Sequence, residues 1–143
     1  MFNCGMLKFR KITSPSKSEI GALTPIEGGV EIPFDIKRIY YIYDVNDSVI
    51  RGKHAHERLH QVLICVHGSI DVRVENFLGE QVYTLNDPSV GLYIGPDNWR
   101  EMFNFKDDGV LLVLASEQYD ENDYIRDYDE FLKHNEKKYG VKK

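Results

Sequence analysis

Residues 51–68 read Arg-Gly-Lys-His-Ala-His-Glu-Arg-Leu-His-Gln-Val-Leu-Ile-Cys-Val-His-Gly. His54 and His56 flank a single alanine, and a strand sends residues two apart to the same face. Both imidazoles then converge on one pocket. The apolar run 62–66 predicts a buried strand, and Gly68 predicts the turn that ends it. Such a histidine pair can bind a metal, move a proton, or simply pack.

On the N-terminal side of this stretch, residues 7–13 alternate as a strand does, and 14–18 read as a loop around Pro15. Residues 21–26 form a short strand, and 36–43, Ile-Lys-Arg-Ile-Tyr-Tyr-Ile-Tyr, are strongly β-prone. Tyr40, Tyr41 and Tyr43 bring hydroxyls with their rings, and a buried tyrosine needs a partner for its hydroxyl. On the C-terminal side, strands are expected at 69–74, 81–85, 90–94, 99–105 and 110–115, separated by Gly, Pro, Asn and Asp turns. Short strands at this spacing argue for an all-β sandwich or barrel. Only the end changes period: Ile125, Tyr128, Phe131 and Leu132 make a helical stripe. A C-terminal helix is expected over 122–139, capped by Asp120 or Asn122 and closed by Gly140.

The 143 residues suit a single domain spanning 1–143 with a core of its own. A net charge of −5 gives no basic footprint for nucleic acid, although local arginines can still serve a small anion. The two cysteines, Cys4 and Cys65, do not suggest a pair, so free thiols in a reducing compartment are expected. No apolar stretch reaches the roughly 20 residues of a membrane span, and residues 1–10 lack a secretory core. The expected location is the cytoplasm, with no membrane partner.

The His-x-His strand resembles the first motif of the cupins, in which four residues separate the pair from a glutamate and six more precede a glycine. Here the spacing leads to Gln61 and Gly68. The second cupin motif has a histidine four residues before an asparagine, and Arg100 stands four before Asn104. The resemblance implies a cupin-type jelly roll with a short C-terminal helix. Cupin metal sites draw three imidazoles and a carboxylate, whereas this chain offers two imidazoles, an amide and a guanidinium. An arginine repels a cation and cannot be deprotonated, so no metal and no cofactor are expected. Histidine titrates near 6.5 and suits general-base work, while Arg51 and Arg100 suit an anionic ligand. Nearby cations also favour neutral imidazole.

Residues 36–44, the run Arg51-Gly-Lys-His-Ala-His56 and residues 61–65 look like the nucleotide-sugar 3,4-ketoisomerases. So do residues 90–96, 99–102, 113–116 and 124–128, and the likeness runs from about residue 25 to 131. That resemblance implies a metal-free, homodimeric cupin, with an N-terminal strand within 1–15 open to exchange between subunits. It implies an isomerase that moves the ketone of dTDP-4-keto-6-deoxyglucose from C4 to C3 through an enediolate. Carried over by position, His54 is the C3 base, His56 a second acid–base group, and Tyr40 a hydroxyl near the reacting carbons. Arg100 is placed at the hexose or its phosphate, and Arg51 at the pyrophosphate or in a structural ion pair. Trp99 either walls the sugar or fills core, and Gln61 supports the histidine pair. Arginine after the tryptophan favours the gluco over the galacto product, although Ile20 stands where some relatives carry arginine or tyrosine. Two other readings are a dTDP-4-keto-6-deoxyglucose 3,5-epimerase and a non-catalytic sugar-nucleotide-binding cupin.

Overall fold

A computed structural model describes residues 3–14, 16 and 18–140, so Pro15 of the expected loop lies outside the described residues. Its strands are β1 (Cys4–Lys8), β2 (Ile12–Thr13), β3 (Ala22–Leu23), β4 (Arg38–Ile42) and β5 (Arg51–His56). They continue with β6 (Gln61–Asn76), β7 (Gly79–Leu85), β8 (Val90–Ile94), β9 (Trp99–Ala115) and β10 (Tyr124–Ile125), and the chain ends in α1 (Tyr128–Tyr139). The all-β class with one C-terminal helix agrees with the cupin-type reading.

β6 and β9 form the spine, antiparallel from Gln61 opposite Ala115 to Glu75 opposite Trp99. One half of this pair carries β8 and then β1 beside β6, and β4 beside β9. The other half carries β7 beside β6, and β5 and then β10 beside β9. Between the halves the register shifts three times from Cys65 to Asp71, and each bulge adds twist and bends the ladder. Gly68 lies inside this bend at φ 77°, where a Cβ would collide with the carbonyls of Lys106 and Asp107. The expected turn at Gly68 is therefore a bend within one strand. Likewise 99–105 and 110–115 are one strand, because Asn104, Asp107 and Asp108 take positive φ and the ladder rounds the corner instead of breaking.

Leu63, Leu92, Leu111 and Val113 from one half meet Ile70, Val72, Leu85, Met102 and Phe105 from the other to fill the interior. Burying each such side chain stabilises by about 1.5–3 kcal/mol before entropy is counted. The alternate residues Val62, Ile64 and Leu114 face outward, where Phe9, Ile32, Phe34 and Ile36 cover them.

The C-terminal expectation needs correction. Asp120 caps a short 3-10 turn over Glu121–Asp123, and residues 124–125 are the strand β10 paired with His56 and Ala55. The helix starts only at Tyr128, with Asp127 as its cap, accepting from the Glu130 N–H at 3.0 Å. Ile125 fits the helical stripe because it packs into the same cluster as Phe131, although it sits on a strand. Gly140 closes the helix in the left-handed region, as the sequence implies. Among the described residues no helix is long and apolar enough to cross a membrane, and Cys4 and Cys65 are both free.

Candidate active site

A bulge aims the histidine pair. The register of β5 against β9 slips between Gly52 and His54, with Gly52 at φ 88° and Lys53 at φ 56°. At Gly52 a Cβ would stand 2.9 Å from the Met102 sulfur and 3.0 Å from the Arg100 carbonyl, so only glycine fits. Beyond the bulge Ala55 joins the cluster beneath α1, while His54 and His56 take the other face. Their rings meet edge to face with centroids 4.8 Å apart. Tyr124 packs on both, at 4.9 Å from His54 and 4.3 Å from His56, with the Arg126 guanidinium 4.1 Å from its own ring.

The two imidazoles are held differently. His56 Nδ1 lies 3.1 Å from Asp123 Oδ2, and that carboxylate also accepts from the N–H groups of Arg58 at 2.7 Å and Leu59 at 3.2 Å. Asp123 thus holds the His56 proton on Nδ1 and leaves Nε2 as a lone pair, buried and without a partner among the described residues. Among the described residues neither ring nitrogen of His54 has a partner in good hydrogen-bonding geometry, although the Gly52 backbone lies near enough to favour the protonated ring somewhat. Burial and then the Arg100 charge lower the His54 pKa to about 3. The same two causes, and then His54 itself, lower that of His56. Both rings are neutral at pH 7. Burial pushes the Asp123 carboxyl up, against the pull of the Arg58 N–H and charge.

Arg100 stands opposite His54 in the β5–β9 register and is 1% exposed. Its Nη1 donates to Gln61 Oε1 and its Nη2 to the Asn98 carbonyl at 3.3 Å, while Nε has no partner among the described residues. Among the described residues no carboxylate pairs with it. Burial lowers its pKa to about 10, so it remains a cation at neutral pH. Gln61 Nε2 in turn donates to the Tyr40 hydroxyl at 3.0 Å. Burial raises the Tyr40 pKa, and Arg100 and Gln61 oppose the rise.

Five of the residues singled out in the sequence therefore share one site: His54, His56, Tyr40, Gln61 and Arg100. Gln61 bridges Arg100 and Tyr40 instead of supporting the histidines. Trp99 points away from Arg100, since neighbours on a strand face opposite sides. It packs with Ile125 and Phe131 beneath α1, and its Nε1 donates to Glu101 at 3.0 Å, so it fills core. Arg51 is exposed at the start of β5 and, among the described residues, makes no ion pair.

Three residues here escaped the sequence reading. Asp123 and Tyr124 lie in the segment read as the start of a helix. Arg38 sits 5.3 Å from the Tyr40 ring and 5.6 Å from that of Tyr119, with its Nε buried and unpartnered among the described residues. Its alternation with Tyr40 along β4, which puts both on one face, was the signal that could have found it.

Known proteins share this architecture and sequence. The chain matches the family model described as "FdtA: WxcM-like, C-terminal" over residues 2–136. It is 47% identical over 129 residues to the TDP-4-oxo-6-deoxy-alpha-D-glucose-3,4-oxoisomerase of Aneurinibacillus thermoaerophilus, covering 90% of each protein. A histidine-to-asparagine variant of the 3,4-ketoisomerase QdtA from Thermoanaerobacterium thermosaccharolyticum, solved in complex with TDP-4-keto-6-deoxyglucose, is 52% identical. It superposes with a TM-score of 0.91 over 97% of this chain and 98% of that one. The WlaRB TDP-quinovose 3,4-ketoisomerase of Campylobacter jejuni is 46% identical, with a TM-score of 0.86 over 93% of this chain and 99% of that one.

Proposed function

We propose, from the premise that this chain belongs to the family described as FdtA: WxcM-like, C-terminal, that it is a nucleotide-sugar 3,4-ketoisomerase. Its substrate is dTDP-4-keto-6-deoxyglucose, whose ketone it moves from C4 to C3. The observation that carries this reading is the buried Arg100 cation, which no carboxylate among the described residues pairs, beside two neutral imidazoles with nitrogens unpartnered among those residues. Such a site calls for a ligand that is both an anion and a carbon acid. The relatives that act on TDP-linked keto sugars supply one.

The reaction needs no redox partner, because C3 is oxidised as C4 is reduced within one molecule. His54 takes the C3 proton, acidified by the adjacent carbonyl, and the C3–H pair moves into an enediolate. The O3 proton passes to O4, C4 accepts a proton, and the ketone stands at C3. His56, oriented by Asp123, exchanges protons beside His54. Tyr40 and Arg100 steady the charge that develops on the sugar oxygens, an effect usually the largest single one in such sites. A base with a pKa near 3 is weak. The diphosphate and the enediolate both offset the Arg100 charge and raise His54 towards working pH as they bind.

Arg51 takes the diphosphate at the rim. Arg100 after Trp99 favours the gluco product. The working form is a cytoplasmic homodimer. In support, β1 is an edge strand, and Ile39 and Tyr41 stand exposed on the outer face of β4. Within this chain β1 pairs with β8, and a partner's β1 could take the same register by exchange.

Incubation with dTDP-4-keto-6-deoxyglucose in deuterated buffer, followed by proton NMR, tests the reading. A new C3 ketone with deuterium at C4 supports it, and the couplings report the C4 configuration. An unchanged substrate, or deuterium at C5 with the ketone unmoved, as an epimerase would give, overturns it.

A further inference from the structure

Gln61 is 1% exposed at the first position of β6, and its amide is held at both ends. Arg100 donates to its Oε1, and its Nε2 donates to Tyr40. A guanidinium has five donors and no acceptor, so the amide cannot turn round without setting two donors against each other. Its oxygen must face Arg100 and its nitrogen must face Tyr40. The phenolic oxygen is thereby occupied as an acceptor, and its own proton is left to give. Among the described residues no acceptor takes that proton. A glutamate, which the cupin spacing would place at this position, would do the opposite: its carboxylate can only accept, and it would draw the Tyr40 proton towards itself.

We propose that Gln61 is a positioning residue that passes the donor character of Arg100 to Tyr40 and commits the Tyr40 hydroxyl to donate towards the reacting sugar oxygen. The inference rests on the reading that places the substrate beside Tyr40 and Arg100. The site then presents two ends of fixed and opposite sense. At His56, Asp123 leaves a lone pair on Nε2, and at Tyr40 the Arg100–Gln61 chain leaves a proton. An enediolate that must gain a proton at one position and lose one at another needs that polarity.

The test is a double-mutant cycle between Gln61 and Tyr40, with kcat and KM measured separately, together with a titration of Tyr40 by NMR of ring-labelled tyrosine. Gln61→Glu keeps the shape and reverses the sense. It should lower kcat by about a hundredfold, and KM should rise as well, because the new carboxylate pairs with Arg100 and takes up the charge left for the ligand. In a Tyr40→Phe background the same change should lower kcat by clearly less than in the parent, since only its effect through Arg100 remains. A Gln61→Glu enzyme at the original kcat, or one that slows Tyr40→Phe as much as it slows the parent, overturns the proposal. Gln61→Met keeps the volume and adds no charge. It should raise the Tyr40 pKa by about one unit, because the phenolate loses its donor. An unmoved titration overturns the proposal without reference to turnover. The NMR arm therefore decides even if the parent protein leaves the nucleotide sugar unchanged, an outcome that would sink the functional reading instead.

Discussion

Asp97 and Arg100 lie three residues apart in the chain, each 1% exposed, and their surroundings are opposite. The Asp97 carboxylate accepts from His134 Nε2 at 2.7 Å, Lys138 Nζ at 2.7 Å and the Tyr139 hydroxyl at 2.5 Å. Its carbonyl accepts from Asn135 at 3.3 Å, and its N–H donates to the His56 carbonyl at 2.8 Å. Burial pushes this carboxyl up, and the three donors together bring it below its usual range. It is a buried charge that the fold has answered, and its work is to latch α1 onto the barrel. Arg100 meets an amide, a carbonyl and two neutral imidazoles. A charge left unanswered at such depth costs stability unless something else brings the counter-charge, and that contrast marks where a ligand belongs. The same division runs through the histidines. His60, His67 and His134 each have a partner, at Tyr93, Asp108 and Asp97, whereas among the described residues neither ring nitrogen of His54 has one in good geometry.

If the unanswered end is where chemistry occurs, the largest effect should come from its base. His54→Asn should lower kcat by about a thousandfold or more while calorimetry still shows nucleotide-sugar binding. Full turnover would remove His54 from the mechanism. Asp123→Asn should come next. Its amide would present a donor to Nδ1, drive the His56 proton to Nε2 and lower kcat by about a hundredfold, with a displaced pH–rate profile. An unaltered profile would leave Asp123 a purely structural role.

The comparison itself is broken or sharpened by stability. Asp97→Ala should cost about 2–3 kcal/mol in chemical denaturation, because its donors lose a charged acceptor. Arg100→Met should stabilise the empty protein by about 1–2 kcal/mol and abolish the rise in Tm expected when TDP is added to the parent. Equal losses at both positions would erase the distinction.

A smaller effect concerns acid. His54 has a folded pKa near 3 against 6.5 when exposed, so below 6.5 the unfolded chain binds a proton that the folded one does not. The stability held by the neutral ring is complete above pH 6.5 and declines steadily as pH falls from there to about 3. His54→Asn should flatten that slope, and an equal slope in the variant would rule His54 out as its source. The smallest change is expected at the exposed Arg51. Arg51→Ala should raise KM about threefold to tenfold with kcat unchanged, and a matching fall in kcat would move Arg51 into the reacting site.

How much of this was legible from residues alone depends on the range of the interaction. The strand-borne histidines, the β-prone run around Tyr40 and the glycine after the helix are local patterns, and each lies where its pattern puts it. Gln61 was found by spacing, but its partners come from β4 and β9, and nothing near it in the chain names them. Asp123 was hidden for a related reason. Its stretch carries helix-like periodicity, and only the pairing of β10 with β5, just after the 3-10 turn that holds Asp123, brings that carboxylate to His56. Trp99 and Arg100 are adjacent in sequence, and only the sheet separates one into the core and the other into the site.

The spine of β6 and β9 has a consequence for how the chain reaches this structure. Gln61 pairs with Ala115, so the first rungs of that ladder join segments separated by β7 and β8. Closing so long a loop is entropically costly until many contacts form together. A topology dominated by such pairings has high contact order and is expected to fold on the slow side, in milliseconds to seconds. Because both long strands run through both halves of the barrel, the halves share one backbone ladder and cannot separate without breaking it. Amides of β6 and β9 should therefore exchange with solvent only through a single global opening.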